Sequence, residues 1–220
     1  MSDFKEIKEQ YIIGSNSFLS IDTKAYADLA YLGYRKDGNP DFLNILKNTF
    51  CSTNLDELFA AKSQVFHYVT NFLDFILKCN SWGKHTNKAI CVVPRSKANL
   101  KKEQLLFKEA VKEAVVGINK RYGGLGFMDG TNFILRHTNT KTTHLVKSNI
   151  SNDGDLPYPG ITINTCMFSE LIREKNIILI DDIYTRTVNV VEDCIQALYD
   201  YGARNVIFYS IAKTEHKNYL

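Results

Sequence analysis

The 220-residue chain is poor in everything that staples or anchors a protein from outside its core. Its five cysteines, Cys51, Cys79, Cys91, Cys166 and Cys194, form no CxxC pair and sit mostly within apolar segments. They read as buried thiols of a reducing compartment, which argues against a disulfide framework and against a zinc site. No apolar run approaches the length needed to span a bilayer, and the charged N-terminus "MSDFKEIKEQ" lacks an apolar signal core. A cytoplasmic protein without a membrane partner is expected. Neither sign of charge dominates: 27 basic and 24 acidic residues leave a net +3, spread too evenly for a nucleic-acid footprint. Repeats and low-complexity tracts are missing too. What is present is 45% hydrophobic residues, enough to bury a core at this length without staples.

The pattern of apolar residues changes near residue 86. Residues 1–85 read as a mainly helical N-terminal hood. Here "DELFAAKSQVFHYVTNFLDFILKC" carries apolar residues at helical spacing, with Asn54 and Glu57 placed to cap its start. Further helices are expected around 23–33 and 41–49. Residues 86–220 alternate instead between short apolar runs and amphipathic stretches. "KAICVVP", "TNFILRH", "NIILIDD" and "RNVIFYSIA" read as strands, while "KEQLLFKEAVKEAVVGINKRYGG" and "NVVEDCIQALYDYGA" read as helices. Apolar strands separated by helices predict an α/β core, a Rossmann-like parallel sheet with helices on both faces. Ligands of such sheets bind beyond the carboxyl ends of the strands.

That rule directs attention to three loops. After the third strand come Asp181 and Asp182, then Thr185, Arg186, Thr187, Val188 and Asn189, with a helix expected from about Val188. Amides at a helix start, flanked by hydroxyls and a guanidinium, suit a phosphate, and two adjacent acids suit a sugar diol beside a magnesium ion. After the first strand, Pro94 leads into Arg95, Ser96 and Lys97, two charges and a hydroxyl for an anion. After the second, a long polar loop carries Arg136, Lys141 and Lys147. His137 and His144 lie in or beside it at a spacing that suits no local metal chelate.

The segment 176–214, "NIILIDDIYTRTVNVVEDCIQALYDYGARNVIFYSIAKT", resembles the ribose-phosphate-binding segment of type I phosphoribosyltransferases, and most of all their ComF-like, amidophosphoribosyltransferase-related branch. The likeness is looser over 88–160 and says little about residues 1–85. It implies the type I phosphoribosyltransferase fold, with phosphoribosyl pyrophosphate or a nucleotide as ligand and Mg²⁺ as cofactor. Asp181 and Asp182 would hold the ribose hydroxyls near Mg²⁺, and Thr185, Arg186, Thr187, Val188 and Asn189 the 5-phosphate. Arg95, Ser96 and Lys97 would take the pyrophosphate. Arg136, Lys141 and Lys147 would ride on a mobile loop, and Asp181, Asp182, Arg95 and Lys97 would form the catalytic set. The implied reaction moves ribose 5-phosphate to a nitrogen acceptor with release of pyrophosphate. A homodimer is compatible with this reading.

Family turns usually read Thr-Thr-Gly-x-Thr where this chain has Thr185-Arg186-Thr187-Val188-Asn189, without the glycine, and the cysteine-rich zinc element common in the ComF-like branch has no counterpart here. Two other classes stay open: a non-catalytic sensor of phosphoribosyl pyrophosphate or nucleotides, and a scaffold that docks a protein partner. A shared fold does not separate them.

Overall fold

A computed structural model describes residues 9–33, 36–47, 54–79, 87–124, 126–142 and 154–215. These residues form β1 (Glu9–Ile13), β2 (Thr23–Tyr31), α1 (Asp41–Lys47), α2 (Leu55–Lys78), β3 (Lys88–Val92), α3 (Leu106–Arg121) and β4 (Met128–Asp129). They continue through β5 (Ile134–Arg136), β6 (Cys166–Phe168), β7 (Asn176–Tyr184), α4 (Val190–Asp200) and β8 (Asn205–Thr214). Six strands make one sheet in the order β1-β2-β8-β7-β3-β4, parallel except for the β1–β2 pair. The chain is therefore α/β, built on a mostly parallel sheet. Its inner strands are β-branched and apolar because both of their sides are covered: β3 is buried along its whole length, and β7 from Asn176 to Ile180.

Alternation along the strands sorts side chains between two cores. Ile178 and Ile180 of β7, with Ile207 and Tyr209 of β8, pack under α1, α2 and α3. Ile177 and Leu179, with Val206 and Phe208, pack under α4. Helix α2 starts where Asn54 accepts the amide of Asp56 at 3.0 Å, as its sequence led us to expect. It is pinned to the sheet by Phe72, whose ring stacks on that of Tyr209 with centroids 4.0 Å apart. Helix α4 stops at Gly202, whose φ of 87° is a backbone state that other residues adopt at a cost.

Two expectations are corrected. The helix expected over 23–33 is strand β2: Ala25, Tyr26 and Ala27 are buried in a ladder with β8, and that pairing overrides the helical look of an alanine- and leucine-containing run. Within the segment expected to be a mainly helical hood, the described residues also include β1 and β2, which extend the main sheet, while α1 and α2 cover one face of it. "TNFILRH" does give a strand, β5, but it pairs antiparallel with β6 in a separate two-stranded sheet, and the short β4 borders β3 instead. Lys147 and His144 lie outside the described residues, as does Cys51. Cys91, Cys166 and Cys194 are buried as read from the sequence, whereas Cys79 is exposed. Among the described residues no helix is long and apolar enough to cross a membrane.

Candidate functional site

The ladder between β3 and β7 ends at Val92 and Ile180, with one further bond from the Val93 amide to the Ile180 carbonyl at 3.0 Å. Strand β7 runs on to Tyr184 with β8 on its other side. Its edge toward β3 is thereby uncovered, and a cavity of about 570 Å³ opens there. Asp181 and Asp182 lie in the last part of β7, which runs on past them to Tyr184. Strand alternation sends them to opposite sides: Asp181 is in register with Ser210 on the α4 side, and Asp182 follows Ile178 and Ile180 on the other. Each carboxylate accepts the amide that follows it, Asp181 Oδ1 from Asp182 at 2.9 Å and Asp182 Oδ1 from Ile183 at 2.6 Å. These bonds fix both carboxylates on the cavity wall.

Among the described residues six cations line the same cavity: Lys47, Arg95, Lys97, Lys108, Arg136 and Lys141. Against two acids they make a cationic pocket in a chain of nearly balanced charge, an environment suited to an anion of several charges. Asp181 keeps some surface on the cavity while protein packs around the rest of it. Burial, and then the neighbouring Asp182, push its carboxyl up to about 8, opposed by the Asp182 amide, Lys47 and Arg95. At neutral pH the Asp181 carboxyl is therefore mostly protonated. Burial also lowers the pKa of Lys108 and of Arg136.

The structure uses Arg95 differently from the sequence expectation. Its guanidinium donates to the backbone carbonyls of Leu46, Lys47 and Gln104, so it closes the C-terminal end of α1 and ties α1 to the turn Lys102–Leu105. Arg95 lines the cavity as a strut, with its donors turned onto carbonyls instead of an open grip. Arg136 is likewise built in, giving one bond to the Arg95 carbonyl at 2.5 Å and another to that of Gly160 at 2.9 Å. It sits in strand β5 and not on a mobile loop. Ser96 is zipped to the following loop: its hydroxyl meets that of Thr142 at 2.8 Å, and its carbonyl accepts the Thr140 amide at 2.7 Å. Lys97 and Lys141 line the cavity.

The turn expected to seat a phosphate stands apart from this wall. Residues Thr185 to Asn189 do not line the cavity, which reaches the start of α4 only at Val190. The Thr185 hydroxyl meets that of Thr214 at 2.7 Å, and the Val188 amide donates to the Thr185 carbonyl at 2.9 Å. Asn189 accepts from the Asn16 side chain at 3.3 Å. Helix α4 starts at Val190, two residues later than expected, so the open amides of its first turn belong to Val190 and its successors, not to Val188. Arg186 and Thr187 are exposed.

Sequence reasoning missed Lys47 and Lys108. Lys47 ends α1 and lies 3.7 Å from Asp182, and Lys108, in the first turn of α3, donates to Asn132 at 2.7 Å. No local pattern marks either lysine, because only the tertiary arrangement brings its helix end to the cavity. Among the described residues no group of three or more His, Cys, Asp and Glu side chains is placed to hold a metal ion. Compared with protein-family models and with curated proteins, the chain matches none.

Proposed function

We propose that the cavity binds phosphoribosyl pyrophosphate, with the ribose hydroxyls on Asp181 and Asp182 and the diphosphate toward the basic wall. The observation that carries this reading is the acid pair at the carboxyl end of a central parallel strand, facing six cations across one cavity and followed by a helix start. Lys97 and Lys141 are among the cations of that wall that phosphate oxygens would meet. The 5-phosphate would lie toward Val190 and the turn before it.

Two adjacent acids on the cavity wall fit a magnesium ion held chiefly by the ligand's own oxygens. Asp181 and Asp182 would stand beside it, and the ion would neutralise charge on a departing diphosphate. The protein's residues would orient the sugar between acids and cations, so that a nitrogen acceptor meets C1 opposite the leaving group. The acids do so by accepting the ribose hydroxyls. Arg136 and Ser96, bonded to neighbouring loops, hold the wall in place.

A second reading, a sensor that binds the ligand without turnover, is favoured by the state of the phosphate turn, where Thr185 and Val188 are engaged within the protein. Titration calorimetry with magnesium and phosphoribosyl pyrophosphate, together with an assay of pyrophosphate release over a panel of nitrogen acceptors, tests both. Binding and release that vanish together in the Asp181→Asn, Asp182→Asn double variant support the enzyme. Binding without release across the panel supports the sensor, and no binding by the wild-type protein removes both.

A further inference from the structure

A cation paired with Asp182 comes from the N-terminal part of the chain. Lys47 Nζ lies 3.7 Å from Asp182 Oδ2, and its side chain is 34% exposed, so it faces the cavity with a solvent path. Its backbone is not left to itself. The carbonyl oxygens of Leu46 and Lys47, which end α1, both accept from the Arg95 guanidinium, and Arg95 in turn leaves β3 by the loop next to the acids. A helix that ends in open carbonyls attracts a guanidinium, and here that bond sets where the last side chain of α1 starts. Arg95 has spent donors that a diphosphate would need, while the ammonium of Lys47 is a compact charge on a flexible stem, able to lean from a carboxylate to a nearby anion.

Resting on the reading above, we propose that Lys47 is the cation that meets the ligand's diphosphate beside Asp182, and that Arg95 is its positioning residue, acting through the last turn of α1. Without ligand, Lys47 pairs with Asp182 and offsets part of the acid pair's charge. With ligand, the ammonium bridges Asp182 and a phosphate oxygen, and no bond of Arg95 changes.

The two roles separate in a double-mutant cycle, because a residue that contacts the ligand directly loses its energy independently of Lys47, whereas one that acts through Lys47 has nothing left to lose once Lys47 is gone. The probes are magnesium with phosphoribosyl pyrophosphate and inorganic pyrophosphate alone, measured by calorimetry on the full chain. Lys47→Met is expected to lower affinity about tenfold or more, the loss of one charge-assisted contact, with Lys47→Arg restoring most of it. Arg95→Gln lowers affinity in the wild-type background and adds nothing in Lys47→Met. On unmodified protein, the ligand should also shield Lys47 from acetylation, which needs no variant to fold. Losses that simply add, an unchanged affinity of Lys47→Met, or full acetylation of Lys47 under saturating ligand each overturn the inference. A wild-type protein that binds neither probe instead overturns the functional reading on which it rests.

Discussion

Asp193, in the first turn of α4, accepts the backbone amide of Gly160 at 2.7 Å, and the same oxygen takes the next amide, that of Ile161, at 2.8 Å. Gly160 passes the constraint on, since its carbonyl accepts from Arg136, which in turn holds the Arg95 carbonyl. A buried carboxylate thus locks the wall of the cavity to the helix that follows the acids. Asp193→Ala leaves two buried amides without partners and should cost about 2–4 kcal/mol of stability. Urea unfolding followed by circular dichroism measures it, and a loss below a few tenths of a kcal/mol would show that water replaces the carboxylate.

Phe72 and Tyr209, both fully buried, stack face to face at an interplanar angle of 4° and join α2 to the middle of the sheet. Phe72→Ala removes a large buried ring and should destabilise the fold by about 3–5 kcal/mol. Phe72→Leu, which keeps much of the volume, should cost clearly less. Equal losses in the two would mean that the ring geometry, and not the buried volume, sets the stability.

Much of this fold was legible because its strands are apolar throughout and its helices amphipathic, so periodicity alone separates β3, β7 and β8 from α2, α3 and α4. Strand β2 was not. Its run of alanine, tyrosine and leucine carries no strand signal that outweighs a helical one, and only the ladder to β8 decides it. For the site, Asp181 and Asp182 were found because they follow an apolar strand, while Arg95 was found as a residue and misread as a role. A guanidinium looks the same in sequence whether a ligand or a helix end takes its bonds. Lys47 was invisible for the opposite reason: it belongs to a helix whose place over the sheet depends on contacts far along the chain.

Asp28 makes stability depend on pH. Burial raises its carboxyl to about 6, although the Tyr209 hydroxyl, donating at 2.6 Å, opposes this, and its other oxygen finds no partner among the described residues. A carboxyl with a raised folded pKa binds its proton more tightly in the native state than in the unfolded one, where its value is about 3.9. Its contribution is therefore complete below pH 4 and lost as pH rises through about 6. After allowing for partial exposure the change is on the order of 2 kcal/mol. Asp28→Asn should flatten unfolding curves recorded between these limits, and an unaltered pH profile in that variant would rule the group out.

The turn before α4 offers unequal hydroxyls. Thr187 is exposed, whereas the Thr185 hydroxyl is engaged with Thr214. If a phosphate seats here, Thr187→Ala should weaken binding of magnesium with phosphoribosyl pyrophosphate by about 1–3 kcal/mol. Asn189→Ala should do the same while also freeing Asn16. Thr185→Ala should lower the melting temperature more than the affinity. Calorimetry and thermal melts on the three variants separate these outcomes, and unchanged affinity in both Thr187→Ala and Asn189→Ala would place the phosphate elsewhere.

If magnesium and phosphoribosyl pyrophosphate bind at the acid pair, the proton on Asp181 sets the pH at which they do so. With its carboxyl raised to about 8, first by burial and then by Asp182, the group is mostly neutral at pH 7. A sugar diol donates two hydrogens and a magnesium ion carries two charges, so both favour the deprotonated form, and binding must expel the proton. Below about pH 8 each unit of acidification should then cost about tenfold in affinity as long as a single proton is released, and the dependence should level off above that value. Calorimetry in two buffers of different ionisation enthalpy counts the protons directly. Asp181→Asn, which has no proton to lose, should bind more weakly at high pH yet show no proton release, and the difference between the two proteins should vanish toward acid pH. Affinity that stays flat from pH 6 to about pH 8 in the wild-type protein would mean that Asp181 is already ionised before the ligand arrives.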